Sequence, residues 1–368
     1  MSARYPRRTA EDAAGRSDQC PATASSSRPN SDGESNRGTH HHSTEPSRST
    51  SAAVAQSERK PRSPMSRETA RSHGPTLNTA AGRGLSWPVR QDVAVDDSRS
   101  AGVAALFDRV AESYENVGVP WFDPIGAALV DAVAPAPGER AVDLGCGRGA
   151  TLFPLAAAVG PPGRVTGIDL SAGMLEQAAA GVAARGLSTV DLHRMDASAP
   201  DLPPASYELA VSSLVIFFLP DPAAAALAWR ELLVPGGRLG ISTFGPRDAA
   251  WEHLDAVFRP YLPKHLLDAR TSGVSGPFGS DRGVEELLLG AGFDRARTLG
   301  LDLPVTFADP EQWRTWSWSH GQRAMWESVP EAERDQVMAA ATERLGAARD
   351  RDGRITLTQH VRFTLAEV

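Results

Sequence analysis

The chain has 368 residues, 41% hydrophobic and 23% charged, with a formal net charge of -7. That is enough for one or two soluble domains with a sizeable core, and no apolar run approaches the ~18 residues of a membrane span. Residues 1–98 carry 14 basic and 11 acidic side chains and the remainder 24 and 34, so the acidic folded portion is a poor electrostatic footprint for nucleic acid and better suited to a small-molecule partner.

The first 80 residues contain no Ile, Phe or Trp and are dominated by Ser, Thr, Arg, Pro and Gly. Such a segment cannot bury enough apolar area to offset its chain entropy, so residues 1–98 are expected to be a disordered tail. His40-His41-His42 reads as incidental rather than as a metal site. The acids Glu11, Asp12, Asp18, Asp32, Glu34 and Glu45 count against a transit peptide, and there is no apolar stretch of a secretory signal. An alternative origin of the tail is a mis-assigned start, with translation beginning at Met65, Val95 or Val103.

The folded domain is expected over 99–368. Its first element is an amphipathic helix, because Ala104, Phe107, Val110, Ala111 and Tyr114 recur at three- and four-residue spacing. From Arg140 short β-rich runs alternate with Ala/Leu-rich ones. The strands read Ala141–Leu144, Arg164–Leu170, Val190–Met195, Tyr207–Ser212 and Arg238–Phe244, and the helices Ala150–Val159, Ala172–Ala184 and Pro222–Leu233. Pro161-Pro162-Gly163, Leu202-Pro203-Pro204 and Pro235-Gly236-Gly237 mark turns between them. Alternation of this length predicts an α/β, Rossmann-like doubly wound sheet, mostly parallel, with a core over 137–245.

Between the first strand and its helix runs Asp143-Leu144-Gly145-Cys146-Gly147-Arg148-Gly149-Ala150. Glycines there allow a tight turn and close approach to a ligand at a helix N-terminus. Taken alone, Gly145-x-Gly147-x-x-Ala150 also satisfies a dinucleotide fingerprint. Three carboxylates at adjacent strand ends separate the readings. Asp143 would repel a pyrophosphate but could meet an ammonium, Asp169 is placed for ribose hydroxyls, and Asp196 could accept from an exocyclic amine. An amino-acid head, a ribose and an adenine without phosphates match that arrangement, which points to S-adenosylmethionine.

The sequence resembles the class I S-adenosylmethionine-dependent methyltransferases over about residues 101–368. Val142–Gly149, Gly167-Ile168-Asp169-Leu170-Ser171 with Met174-Leu175, Met195-Asp196-Ala197 and Leu233–Leu239 follow the family's motifs in order. Phe107-Asp108-Arg109-Val110-Ala111 with Tyr114-Glu115 is similar to the first helix of the small-molecule subgroup, which includes quinone-biosynthesis and natural-product enzymes. The resemblance implies that Gly145, Gly147 and Gly149 flank the methionine moiety and that Asp169 holds the ribose. It also places Leu170 and Met174 against the adenine, Asp196 and Ala197 at its edge, Ser212 or Ser213 near the sulfonium, and Tyr114 as a cover. Cys146 reads as a small turn residue rather than a nucleophile. With Cys20 it makes up the chain's two cysteines, too few for a disulfide framework, and they suggest a reducing, cytoplasmic compartment.

The family's seven-stranded sheet, with its last strand antiparallel, implies strands six and seven within Ala296–Phe307 and Ile355–Leu365. The residues between them read as two helices, Pro310–Ser328 and Glu331–Arg349, a lid-like insertion in a 246–368 acceptor side. Trp313, Trp316 and His320 fall on one face of the first helix and make either an aromatic wall for a planar acceptor or plain core. His320 is the first candidate for a general base, ahead of His253 and His265, and no metal-ligand spacing is present. The expected activity is O-methylation of an aromatic or polyketide-like hydroxyl. Alternatives are a quinone-type C-methyltransferase, a nicotinamide-dependent oxidoreductase and a non-catalytic cofactor-binding module. The oligomeric state is left open.

Overall fold

Strand β1, Arg140–Leu144, shows why the sequence pattern reads as a parallel sheet: after Arg140 every residue is buried, as in a strand covered on both faces. The structure, a computed structural model, describes residues 7–8, 98–262 and 275–368. After β1 come β2 Arg164–Asp169, β3 Val190–Arg194, β4 Tyr207–Ser213, β5 Leu233–Phe244, β6 Arg295–Phe307 and β7 Ile355–Glu367, in spatial order 3-2-1-4-5-7-6. Strands β1 to β5 pair in parallel, and β7 runs antiparallel between β5 and β6. The expected Rossmann-like sheet is therefore present. Arg7–Arg8 add a two-residue strand antiparallel to β6 at Gly300–Leu301. The rest of the tail, including His40-His41-His42 and the alternative starts Met65 and Val95, lies outside the described residues.

The helices are α1 Ser98–Val110, α2 Phe122–Val133, α3 Leu152–Val159, α4 Ala172–Arg185, α5 Pro222–Leu232, α6 Ala249–Asp255, α7 Asp281–Gly290, α8 Pro310–Trp318, α9 Arg323–Glu327 and α10 Arg334–Leu345. Their ends follow local chemistry. Ser171 Oγ caps α4 by accepting from Met174 N at 3.1 Å, and Gly186 closes it in the left-handed region. Asp221, Asp248, Ser280 and Asp309 cap α5, α6, α7 and α8 in the same way. Among the described residues no helix is long and apolar enough to cross a membrane.

The insertion between β6 and β7 differs from the single long helix expected over Pro310–Ser328. Helix α8 stops at Trp318, where Ser319 Oγ donates to the Trp316 carbonyl at 2.7 Å and Gly321 follows. The chain turns through His320 and resumes as α9. The second expected helix, Glu331–Arg349, shortens to α10 with a 3-10 turn at each end. Trp313, Trp316 and Trp326 are all buried, and Trp326 Nε1 donates to Ser317 Oγ at 2.7 Å, so the insertion is anchored by an aromatic core of its own.

Candidate active site

The loop after β1 turns through Gly145, Gly147 and Gly149 at φ 82°, 53° and 106°. A Cβ on Gly145 would lie 2.5 Å from Val215 Cγ2, and one on Gly149 2.5 Å from the Phe153 ring, whereas one on Gly147 would meet nothing within 4 Å. Gly145 and Gly149 are thus held by packing, and Gly147 presents bare backbone to open space. That space is a cleft lined by Gly145, Gly147, Asp169, Leu170 and Asp196 at the carboxyl ends of the strands. Asp169, at the end of β2, ties the loop down: its Oδ2 accepts from Gly147 N at 2.8 Å and its Oδ1 from Ser171 N at 2.9 Å. Each oxygen keeps a further lone pair for a ligand. Asp196, after β3, accepts from Ser198 N at 2.7 Å, while Trp229 Nε1 donates to the Ala197 carbonyl at 2.7 Å and fixes that loop on α5.

Of the residues singled out from sequence, Tyr114, Gly145, Gly147, Asp169, Leu170, Met174, Asp196, Ala197 and Ser213 line this one cleft. Met174 lines the cleft and also packs on Val110 and Ala111. Ser212 does not line the cleft: it is buried and donates to the Leu144 carbonyl at 2.7 Å, joining β4 to β1. The two-residue alternation of a strand sends its neighbour Ser213 to the cleft instead, where it bonds Ser242 at 2.9 Å. Asp143 lies out of reach beneath the loop, fully buried with neither carboxylate oxygen hydrogen-bonded. Burial, reinforced by the neighbouring Asp169, pushes its pKa up to about 8. Burial also raises the Cys146 thiol well above its ordinary value, leaving a small, inert turn residue.

Besides Tyr114, the expected cover, residues given no role from the sequence help close the cleft from the α1 side. Asp108 Oδ1 accepts from Ser171 Oγ at 2.5 Å and from Gly173 N at 3.0 Å, docking α1 on the first turn of α4. This brings Ser100, Val103 and Phe107 over the cleft. Arg148, inside the glycine loop, donates to the backbone carbonyls of Glu112 and Tyr114. Glu115 sits at φ 57°, and its Oε1 accepts from Trp121 N at 2.9 Å and Asp123 N at 2.8 Å, capping α2. Burial first, then the Asp123 charge, pushes the Glu115 carboxyl up to about 7. The Tyr114 phenol is raised well above its ordinary value, chiefly by burial and then by Glu115.

His320 does not line the cleft. Its ring lies 4.2 Å from Trp316, and Phe122, 6.1 Å away, separates it from Tyr114. Trp316 and His320 are thus neighbours as expected, although the helix has ended between them, while Trp313 faces Phe258 and Trp326 in the core. His253 is exposed on α6, and His265 lies outside the described residues.

No lysine or arginine is among the described residues lining the cleft, although a pyrophosphate would call for cations. Asp169 and Asp196 at two strand ends, an open left-handed glycine and apolar walls from Leu170, Met174 and Ala197 suit instead a cationic, phosphate-free nucleoside. A methyltransferase-domain family model matches residues 141–237. The chain is 36% identical over 268 residues to the nocamycin O-methyltransferase of Saccharothrix syringae, spanning 70% of this chain and 95% of that protein. It is 39% identical over 173 residues to the aklanonic acid methyltransferase DauC of Streptomyces sp. (strain C5), spanning 47% and 79%. To the ubiquinone biosynthesis O-methyltransferase of Paracidovorax citrulli it is 31% identical over 135 residues, spanning 33% and 50%. From motif order, sheet topology and this kinship together, the chain belongs to the class I S-adenosylmethionine-dependent methyltransferases, and its cofactor is S-adenosylmethionine.

Proposed function

We propose that the chain transfers the methyl group of S-adenosylmethionine to an oxygen atom of an aromatic or polyketide-like small molecule in the cytoplasm. The observation that carries this reading is the reach of the kinship: similarity to an O-methyltransferase extends over 268 residues, well past the 141–237 domain and therefore into the acceptor-side segments. The quinone-pathway relative matches over 135 residues and half its own length, so the acceptor side is better represented by the natural-product enzymes. The compartment rests on the scarcity of cysteine, of which Cys146 is a buried free thiol.

When bound, S-adenosylmethionine supplies an electrophilic methyl on a sulfonium. The chain's own residues bind, orient and exclude water. Asp169 offers its remaining lone pairs to the ribose hydroxyls, Asp196 and Ala197 meet the adenine edge, and Leu170 and Met174 hold its face. Asp169 holds its carboxyl under the glycine loop, and the buried Asp143, mostly protonated in the free protein, ionises when the methionine ammonium is received above it. Phe107 from α1 and Tyr114 from the connection after it close the cleft. Alignment in a dry site can supply up to roughly 7–11 kcal/mol of the barrier, which suits an active site without an exposed base.

The test is incubation of the full chain with S-adenosylmethionine and three probes: alizarin, 1-hydroxyanthraquinone and anthraquinone-2-carboxylic acid. The expected product has gained one methyl in place of an O–H hydrogen. A methyl on ring carbon would replace this reading with C-methylation. Cofactor binding without transfer to any probe or to simpler phenols would favour a non-catalytic module.

A further inference from the structure

His320 sits on the turn Ser319–Gln322 between α8 and α9, in an aromatic box. Its ring meets Trp316 edge-on at 4.2 Å, lies nearly parallel to Trp121 at 6.1 Å, and faces the Phe122 edge at 6.1 Å. Phe122 stacks at 4.2 Å on Tyr114, a wall of the cofactor cleft, so the box and the cleft share one partition. His320 Nδ1 accepts from Gln322 N at 3.3 Å, and Gln322 Nε2 donates to Asp255 Oδ1 at 3.0 Å, which holds the turn. His320 Nε2 is buried and has no hydrogen-bond partner among the described residues.

A neutral imidazole carries one proton, and a nitrogen facing an N–H must be the bare one. The proton is therefore on Nε2. A general base working through Nε2 would need the other tautomer, with Nδ1–H set against Gln322 N–H, two donors in opposition. Burial acts in the same direction, holding the ring's pKa down to about 3.

We propose that His320 is a hydrogen-bond donor of the acceptor site, not its base: Nε2–H meets a carbonyl or ionised oxygen of a flat aromatic acceptor that wedges among Trp121, Phe122 and Trp316. This rests on the methyl-transfer reading above. A buried donor left unmet is unfavourable, and an oxygen acceptor relieves it. A site built this way selects ketones, quinones and carboxylates over hydrocarbons of the same shape, because the analogue leaves the donor stranded. Trp121 and Phe122 belong to the start of α2 and Trp316 and His320 to the insertion, so the acceptor enters by parting these two elements, whose rings are packed together at 4.7 Å between Trp121 and Trp316. With no proton taken by His320, the attacking oxygen arrives ionised, its proton given up to solvent before the acceptor enters the dry site.

The test uses the full chain with ring-15N-labelled histidine, the His320 signals being assigned by their loss in His320→Gln. The expected spectrum shows the Nε2–H tautomer, unprotonated from about pH 5.5 to about pH 8, with Nε2–H shifting when 1-hydroxyanthraquinone is added. In turnover, His320→Gln, which retains an N–H donor, keeps kcat/KM for that probe within about tenfold, whereas His320→Phe raises its KM by more than about tenfold. Both variants keep the wild-type affinity for S-adenosylmethionine. An Nδ1–H tautomer, or a rising limb near pH 6.5 in kcat/KM that both variants abolish, would overturn the proposal. If wild type methylates none of the probes, it is the acceptor reading that fails, and the tautomer and the shift still decide His320.

Discussion

Asp169 Oδ2 accepts the backbone N–H of Gly147 at 2.8 Å, so the carboxylate assigned to the ribose also fixes the shape of the glycine loop. Asp169→Ala then loses two functions at once and should weaken S-adenosylmethionine binding by more than about a hundredfold, each charge-assisted bond being worth roughly 1.5–3 kcal/mol. Asp169→Asn keeps one acceptor and should fall between. Calorimetric titration measures both; equal affinity in all three proteins would remove Asp169 from the site.

The glycines separate packing from access. Gly147→Ala adds a Cβ that meets no protein atom within 4 Å, at φ 53°. Its cost to folding should be the left-handed penalty alone, roughly 1–2 kcal/mol, while cofactor affinity drops at least tenfold because the methyl enters the cleft. Gly145→Ala strikes Val215 at 2.5 Å and Gly149→Ala strikes Phe153 at 2.5 Å, so these two should lose more stability. Thermal unfolding with parallel cofactor titration distinguishes the two patterns, and a Gly147→Ala protein as unstable as the others would mean the loop has no open face.

Asp143 links cofactor binding to protons. Burial holds its carboxyl at a pKa of about 8, so it is mostly protonated at neutral pH. A sulfonium and an ammonium overhead favour the carboxylate, so the bound state has the lower pKa and binding releases a proton. Affinity should therefore rise with pH from about 6 to about 7.5. Titrations in buffers of differing ionisation enthalpy read the released proton directly. Asp143→Asn should abolish both the release and the slope; a wild-type affinity flat in pH would show that the cofactor's charge does not reach Asp143.

Glu115 gives a stability prediction of definite sign. Its folded pKa is about 7 against 4.5 for the ordinary group, so between those values the folded state binds more protons than the unfolded. Stability is full below about pH 4.5 and falls as pH rises to about 7, by at most about 3 kcal/mol. Glu115→Gln retains an oxygen to cap α2 and should erase this part of the pH dependence. Glu115→Ala erases it too and, lacking the cap, should be about 1 kcal/mol less stable than Glu115→Gln at any pH. Denaturant midpoints at several pH values, compared with wild type, carry the test.

The parallel core was legible because its signals are local: buried β-rich runs, Ala/Leu helices, and a glycine turn with carboxylates at successive strand ends. Ser212 and Ser213 show the limit, since which of two adjacent serines faces the cleft depends on strand register, and a one-residue choice inverts the face. Asp108 and Arg148 were less legible because each acts on distant backbone, Asp108 on the α4 N-terminus and Arg148 on the α1–α2 connection, and Glu115 because it caps α2 from six residues before Trp121, outside the usual cap position. The break at Ser319 was hidden by a helical pattern that continues through it, overruled by a side-chain bond to the Trp316 carbonyl and by Gly321.

Trp313 and Trp326 resolve the choice between aromatic wall and core by opposite responses to the same substitution. Both are fully buried and lie 6.0 Å apart, yet Trp326 Nε1 donates to Ser317 Oγ at 2.7 Å while Trp313 Nε1 has no partner among the described residues. Phenylalanine in place of Trp326 removes a made hydrogen bond and leaves the buried Ser317 Oγ only its bond to the Arg314 carbonyl at 2.7 Å. Phenylalanine in place of Trp313 removes an unmet donor, so that gain offsets the lost ring volume. Trp326→Phe should cost about 1–3 kcal/mol and Trp313→Phe less than about 1 kcal/mol, both without change in acceptor KM. A raised KM in Trp313→Phe would instead place that ring against the acceptor and extend the aromatic box of His320 deeper into the insertion.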